Sequence, residues 1–265
     1  MTTATDLSTP ASRGADRYPN GPLADVWLVC LRELRPVLRD PASIVFGLVQ
    51  PLVFVALFVP LLDGMSGGAL DLQWFVPGVL VMVALFSTAA TGSNLQFEMH
   101  TGAHERTLVA PVRRWALVVG RALKEMVPLT VQACVLVAVS LPFGFVPHLL
   151  GAVAGLGVLA VFGVGFGALS YALALAVREQ DWLFWTIQQA VVFPLMILSG
   201  MLLPLDEGPG WMQALGAANP LSHVVDAQRA LFSGVFDGDA VRGLLAASAV
   251  AVVGLAVAVR AMRRG

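Results

Sequence analysis

The chain has 265 residues, of which 57% are hydrophobic and 12% charged, with a mean hydropathy of +0.79 and a net charge of −1. Soluble domains carry roughly 25% charged residues; this much apolar surface exceeds what a soluble core can hide, and the bilayer is its natural solvent. The near-zero charge excludes electrostatic attraction to nucleic acid. Cys30 and Cys134 stand far apart in helical or apolar contexts, which suggests neither a disulfide framework nor a metal cluster.

Residues 1–22 are polar and rich in Thr, Ser, Pro and Gly, with no apolar core of a signal peptide, and read as a disordered tail. In "LADVWLVCLRELRPVLRD" (23–40), Leu23, Val26, Trp27, Cys30, Leu31, Leu34 and Leu38 share one helical face. Asp25, Arg32, Glu33, Arg35 and Arg39 fill the rest, the pattern of a helix lying in the membrane interface through Trp27 and Leu31, with Arg35 on its polar side. Beyond it come the uncharged stretches 41–62, 72–97, 126–177, 182–205 and 243–259. The longest is broken at "LPFGFVPH" (141–148), a turn between two helices. Since about 20 apolar residues cross the hydrocarbon, six spans are predicted: 42–62, 74–96, 120–141, 149–177, 182–204 and 241–260. The fold class is all-α integral membrane.

Of the sixteen Arg and Lys residues, all but Arg229 and Arg242 fall on the side that holds both termini. The other side carries Asp63, Asp71, Asp206, Glu207, Asp226, Asp237 and Asp239. The positive-inside rule places both termini in the cytoplasm of a cell-membrane protein, and residues 205–240 outside.

Enzymatic readings fail on their spacing. "HTGAHE" (100–105) has two histidines four apart but Thr101 where a zinc protease has Glu, so no metal site is assigned. "GVGFGA" (163–168) lies inside an apolar run with no preceding strand, and its glycines suit close helix packing. The lone lysine, Lys124, follows no glycine-rich loop, so this chain holds no Walker A site. If ATP is used, another chain binds it. The short polar loop 97–114 contains "GAHERTL", which favours a brief helix closed by Pro111.

Two stretches carry a resemblance. "FEMHTGAHERTLVAPVRRWALVVGRAL" is similar to the segment that marks permeases of type-2 ABC exporters, with an acidic residue, a Gly, Glu-Arg-x-Leu, a Pro and a basic-Trp pair in order. "LSGMLLPLDEGPGWMQALGAANPLSHVVDAQRALFSG" (198–234) resembles the region between their last two spans. The likeness covers about residues 23–262 and is closest to the daunorubicin-resistance-type drug exporters. The chain departs from the family pattern at Met99, His100, Thr101 and His104.

The resemblance implies the type-2 ABC exporter permease fold: a transmembrane domain over 23–262, with 23–40 as connecting helix. Within it, 97–114 would be a coupling segment and 205–240 extracellular, partly re-entrant helices. Glu98, Gly102, Glu105, Arg106, Leu108, Pro111 and Arg114 would meet a separate ATP-binding subunit, which holds ATP and Mg. This chain would carry no cofactor. A second permease copy, identical or not, and membrane lipids complete the expected partners. Outside, two short helices are expected over 211–217 and 220–232, the second capped by Asn219 with Pro220 at its first turn. Asp226 and Arg229 can pair there, three apart on one face.

No charge lies at mid-bilayer, which suits amphipathic cargo better than ions. Thr91, Asn94, Trp182, Trp185, Gln188 and Gln189 form the expected substrate pathway, because aromatic and amide groups together suit drug-like molecules. The reading is therefore an ATP-driven exporter of hydrophobic drugs or antibiotics. A lipid or glycolipid exporter is the alternative cargo class, and a non-transporting membrane assembly or channel protein the alternative function. A channel would show rings of charge or a filter sequence, and neither is visible.

Overall fold

The computed structural model describes residues 21–39, 41–66, 72–108, 112–178, 180–206 and 208–264. Among them there is no strand. The helices are α1 (Pro22–Arg39), α2 (Pro41–Ser66), α3 (Leu72–His100), α4 (Ala103–Leu108), α5 (Arg114–Lys124) and α6 (Met126–Ser140). The chain continues through α7 (Leu149–Ala176), α8 (Asp181–Ile197), α9 (Gly210–Ala218), α10 (Pro220–Phe232) and α11 (Gly238–Arg264). The polar tail predicted over 1–22 falls outside the described residues except for its last two positions.

Among the described residues, four helical stretches are long and apolar enough to cross a membrane: α3, the α5–α6 pair with the turn after it, α7 and α11. The predicted first span coincides with α2, whose described apolar stretch is Val45–Phe58. The predicted fifth span starts one residue late at 182 and runs too far: α8 stops at Ile197, not at 204. Charge spacing could not show this, because the break is made by an uncharged turn with Gly200 at φ 68°. The helix ends at its Leu198 cap, and the left-handed residue that turns the chain beyond it is accommodated at little steric cost only because it is glycine.

α3 is the axis of the bundle. It packs along α7 and also touches α2, α6, α8 and α10, and its middle, from Phe75 to Leu85, is buried throughout. Without a hydrophobic drive between helices inside a membrane, close packing must supply the attraction. The α7–α11 pair shows how: a methyl group on Gly254 would sit 2.1 Å from the Gly165 carbonyl oxygen, so the two backbones nearly touch. Between α3 and α7, Ser170 Oγ donates to the Ala89 carbonyl at 2.6 Å and accepts from the Gly92 N–H at 3.1 Å.

Local chemistry fixes the remaining junctions. A single 3₁₀ turn at Leu141–Phe143, ended by Gly144 at φ 99°, makes the predicted break in the longest apolar run. Pro128 withholds the N–H that an unbroken helix would give the Lys124 carbonyl, and α5 and α6 meet at Glu125. α10 starts where expected: Asn219 accepts from the Leu221 N–H at 3.0 Å, and Pro220 occupies the first turn.

Candidate functional site

At one end of the bundle α1 lies against α5, in parallel register. Asp25 faces Arg113 (Oδ2 to Nη1, 3.3 Å) and Glu33 faces Arg121 (Oε1 to Nη2, 3.4 Å). Between them Val29 packs on Gly120, where a side chain would strike it. The sequence reading placed Asp25 and Glu33 on the water side of α1. In the fold Asp25 is fully buried and Glu33 nearly so, and the two acids with Val29 form the face that meets α5. The apolar stripe with Trp27, Leu31 and Leu38 is the exposed one, beside an exposed Arg35.

Arg121 is the centre of this end. Its guanidinium reaches Glu33 from α1 and Glu98 from the last turn of α3, and stands 5.5 Å from the ring centre of Tyr171 on α7. Its side chain is only 5% exposed. One arginine therefore joins four helices, a task that suits a planar fork of donors and would defeat a lysine. Next along the chain, Lys124 and Glu125 are also buried and lie 3.4 Å apart.

The short helix in the 97–114 segment forms as expected, as α4. Gly102, at φ 67°, reverses the chain between α3 and α4. Thr107 is buried; its hydroxyl accepts from Arg32 Nη2 at 3.0 Å and donates to the Ala103 carbonyl at 2.9 Å. Arg106 is exposed on the outer side of α4. Arg114 donates to the Met262 carbonyl in the last turn of α11 at 3.5 Å. Glu98 turns inward to Arg121. The backbones of Glu105 and Leu108 belong to α4, but their side chains, and Pro111 altogether, lie outside what is described. Thr107→Val should loosen α4 from α1 by about 1 kcal/mol, one modest hydrogen bond. Thermal denaturation of the purified protein would check this, and an unchanged midpoint would show that other contacts hold α4.

The residues expected along the substrate pathway divide. Asn94 is exposed and lines an open cleft of about 460 Å³ between α2, α3 and α6. Thr91, one turn earlier on α3, is buried and faces Gly167 on α7. On α8, Trp182, Trp185 and Gln189 look outward while Gln188 is buried, its Oε1 without a hydrogen-bond partner.

At the opposite end, α10 is sewn to the last turn of α8 and the residue after it. Asn219 Nδ2 donates to the Leu195 carbonyl at 3.0 Å, and Ser222 Oγ donates to that of Leu198 at 3.1 Å. Pro220 stays exposed at the helix start. Asp226 and Arg229 do pair, at 3.7 Å, but the arginine is more closely engaged elsewhere. It donates to the carbonyls of Gly200 (2.8 Å) and Trp74 (3.3 Å) and lies 3.8 Å above the Trp74 ring. Burial pulls the Arg229 guanidinium down to about 10 and pushes the Asp226 carboxyl up from the usual range. At neutral pH Arg229 still carries its charge.

Sequence reasoning missed Asp25, Glu33, Arg32, Thr107, Arg113, Arg121 and Tyr171. A signal existed for some of them: Asp25, Val29 and Glu33 repeat every four residues, and Arg113 and Arg121 match that span on α5. The pattern becomes a ladder only once the two helices are known to be neighbours.

Known proteins resemble this chain over most of its length. The family model described as ABC-2 type transporter matches residues 24–233. The chain is 30% identical over 198 residues to the daunorubicin resistance ABC transporter permease protein DrrB1 of Streptomyces coeruleorubidus, covering 73% of this chain and 70% of that one. It is 26% identical over 222 residues to the putative transport permease ycf38 of Cyanophora paradoxa, covering 80% and 75%. To the probable doxorubicin resistance ABC transporter permease protein DrrC of Mycobacterium tuberculosis it is 24% identical over 237 residues, covering 85% and 82%.

Proposed function

As the chain belongs to the ABC-2 type transporter family, we propose that it is the permease subunit of an ATP-driven exporter that moves hydrophobic or amphipathic compounds, drugs or antibiotics among them, out across the cell membrane. It is a multi-pass membrane protein. Six spans cross the bilayer in this reading, α2, α3, α5–α6, α7, α8 and α11, with both termini in the cytoplasm and α9–α10 at the outer face. α1 rests in the membrane interface on its Trp27 and Leu31 stripe.

One observation carries the mechanism. A six-residue helix with an exposed arginine, α4, is bound through Thr107 and Arg32 to α1, and through α3 to the Arg121 node. A push on α4 therefore has a rigid path into α3, α5 and α7. A separate ATP-binding subunit, which takes ATP and Mg, docks on α4 around Gly102, Glu105, Arg106 and Leu108 up to Pro111. Its closure moves α4 with α1 and reorients the spans as rigid bodies. Glu98 and Arg114 act from behind, by fixing α4 to the membrane helices. A second permease copy supplies the other wall of the pathway, and α10, held through Asn219 and Arg229, closes its outer end.

Arg106 gives the direct test. Arg106→Glu reverses a charge on an exposed surface, so folding and membrane insertion should be unaffected. Export and co-purification of the ATP-binding subunit should fall roughly tenfold or more, since juxtaposed like charges at an interface cost several kcal/mol. Normal export at matched membrane levels would refute docking at α4.

A further inference from the structure

We propose that the groove between the C-terminal halves of α7 and α11 is a site for an anionic phospholipid, with an acyl chain along the groove and the headgroup phosphate on Arg260. The inference needs only a chain that spans a membrane, so it stands or falls apart from the exporter reading.

The groove has a local cause. α7 and α11 pack side by side and come closest at Gly165 and Gly254. About two turns further along both helices, small side chains recur and leave a furrow of about 380 Å³. It is lined by Ala172, Leu173 and Ala176 of α7 and by Val257, Arg260 and Ala261 of α11. On each helix these positions lie three or four apart, so they form one stripe of its face. Ala172 is buried at the bottom, while Ala176 and Val257 are exposed at the rim. Apart from the arginine, a furrow so lined suits an alkyl chain and offers a polar molecule nothing.

The sign of the headgroup follows from the partners the arginine lacks. Arg260 is the one charged residue lining the furrow, and it ends the predicted sixth span, at the level of the lipid headgroups. It is exposed, with no ion pair or hydrogen bond among the described residues. The described acids at this end are engaged elsewhere: Asp25, Glu33, Glu98 and Glu125 face Arg113, Arg121 and Lys124, and Asp181 faces His100. Arg263, one turn on, is exposed as well, and Arg114 donates to the Met262 carbonyl. This corner is positive, and no described carboxylate balances it.

Only an amphiphile with a negative head satisfies both parts of the wall. A soluble anion would meet the arginine and leave the furrow empty. A zwitterionic lipid would fill the furrow and bring no net charge to the guanidinium. Arginine grips phosphate through a planar fork of donors. Basic pockets between membrane helices on the cytoplasmic side take anionic headgroups for the same reason.

Native mass spectrometry of the detergent-purified protein tests the site, with titrations of phosphatidylglycerol and of phosphatidylcholine carrying the same chains. Phosphatidylglycerol should bind about fivefold more tightly, the worth of one basic residue beside an anionic headgroup. Arg260→Gln should erase that preference, whereas Arg263→Gln, which removes an exposed arginine outside the furrow, should keep it. Ala176→Trp, which fills the furrow without touching a charge, should weaken the binding of both lipids. Equal binding of the two lipids by the parent, a preference that survives Arg260→Gln, or undiminished binding by Ala176→Trp would overturn the site. Equal loss in Arg263→Gln would also overturn it, since the attraction would then belong to the whole charged corner. Displacement of the lipid by glycerol phosphate would do the same by showing an anion site that needs no chain. A dimer that falls apart in Ala176→Trp would mean that a second copy covers the furrow, and the lipid site would fall with it.

Discussion

Arg121→Met should destabilise the folded permease by about 3–5 kcal/mol, the range for removing one partner of a buried ion pair. The substitution leaves Glu33 on α1 and Glu98 on α3 without the guanidinium that stands between them. Thermal denaturation of purified protein, together with the yield of monodisperse material, would read the effect. Arg121→Lys should be milder but still harmful, since an ammonium cannot reach both carboxylates and lie near Tyr171 at once. Combining Arg121→Met with Glu33→Gln and Glu98→Gln should restore much of the loss, because the penalty comes from the stranded charges and not from lost volume. An Arg121→Met protein as stable as the parent would mean that the four helices hold without the node, and the proposed path from α4 into the membrane would lose its rigid link.

That node also marks the boundary of what the sequence discloses. Charge spacing located the apolar helices because any charge inside hydrocarbon is expensive, and turn chemistry located the breaks at Gly144 and Asn219 for equally local reasons. The end of α8 escaped, since an uncharged turn at Gly200 looks like membrane to a count of charges. α1 was legible as a helix but its buried face was not. Asp25 and Glu33 read as solvated because single-helix amphipathicity assigns charged residues to water, and only the arginines of α5, some 88 residues on, make burial tolerable. The coupling segment was found from the motif around Glu105 and Arg106. The residues that hold it in place escaped, because Thr107 fills the motif's variable position and its partner Arg32 lies 75 residues away, outside the motif.

At the far end of the bundle the same contrast becomes measurable. From sequence, Arg229 is half of an i,i+3 pair with Asp226; in the fold it is a clamp on the chain after α8. Arg229→Met keeps most of the stem but removes the donors to Gly200 and Trp74 and the charge above the Trp74 ring. Hydrogen bonds from a charged donor contribute about 1.5–3 kcal/mol each, and a partly desolvated cation over an aromatic ring adds about 1 kcal/mol more. These terms are not additive, so the expected loss is about 2–4 kcal/mol, concentrated where the clamp acts. Amide hydrogen exchange should therefore quicken around 199–206 and at the start of α3, while α11 stays protected. Asp226→Asn should do far less, within about 1 kcal/mol, because that carboxylate is half exposed and 3.7 Å from its partner. The order of the two effects is the decisive result. Were Asp226→Asn the more damaging change, the ion pair visible in the sequence would be the true fastening, and the carbonyl clamp only an accompaniment to it.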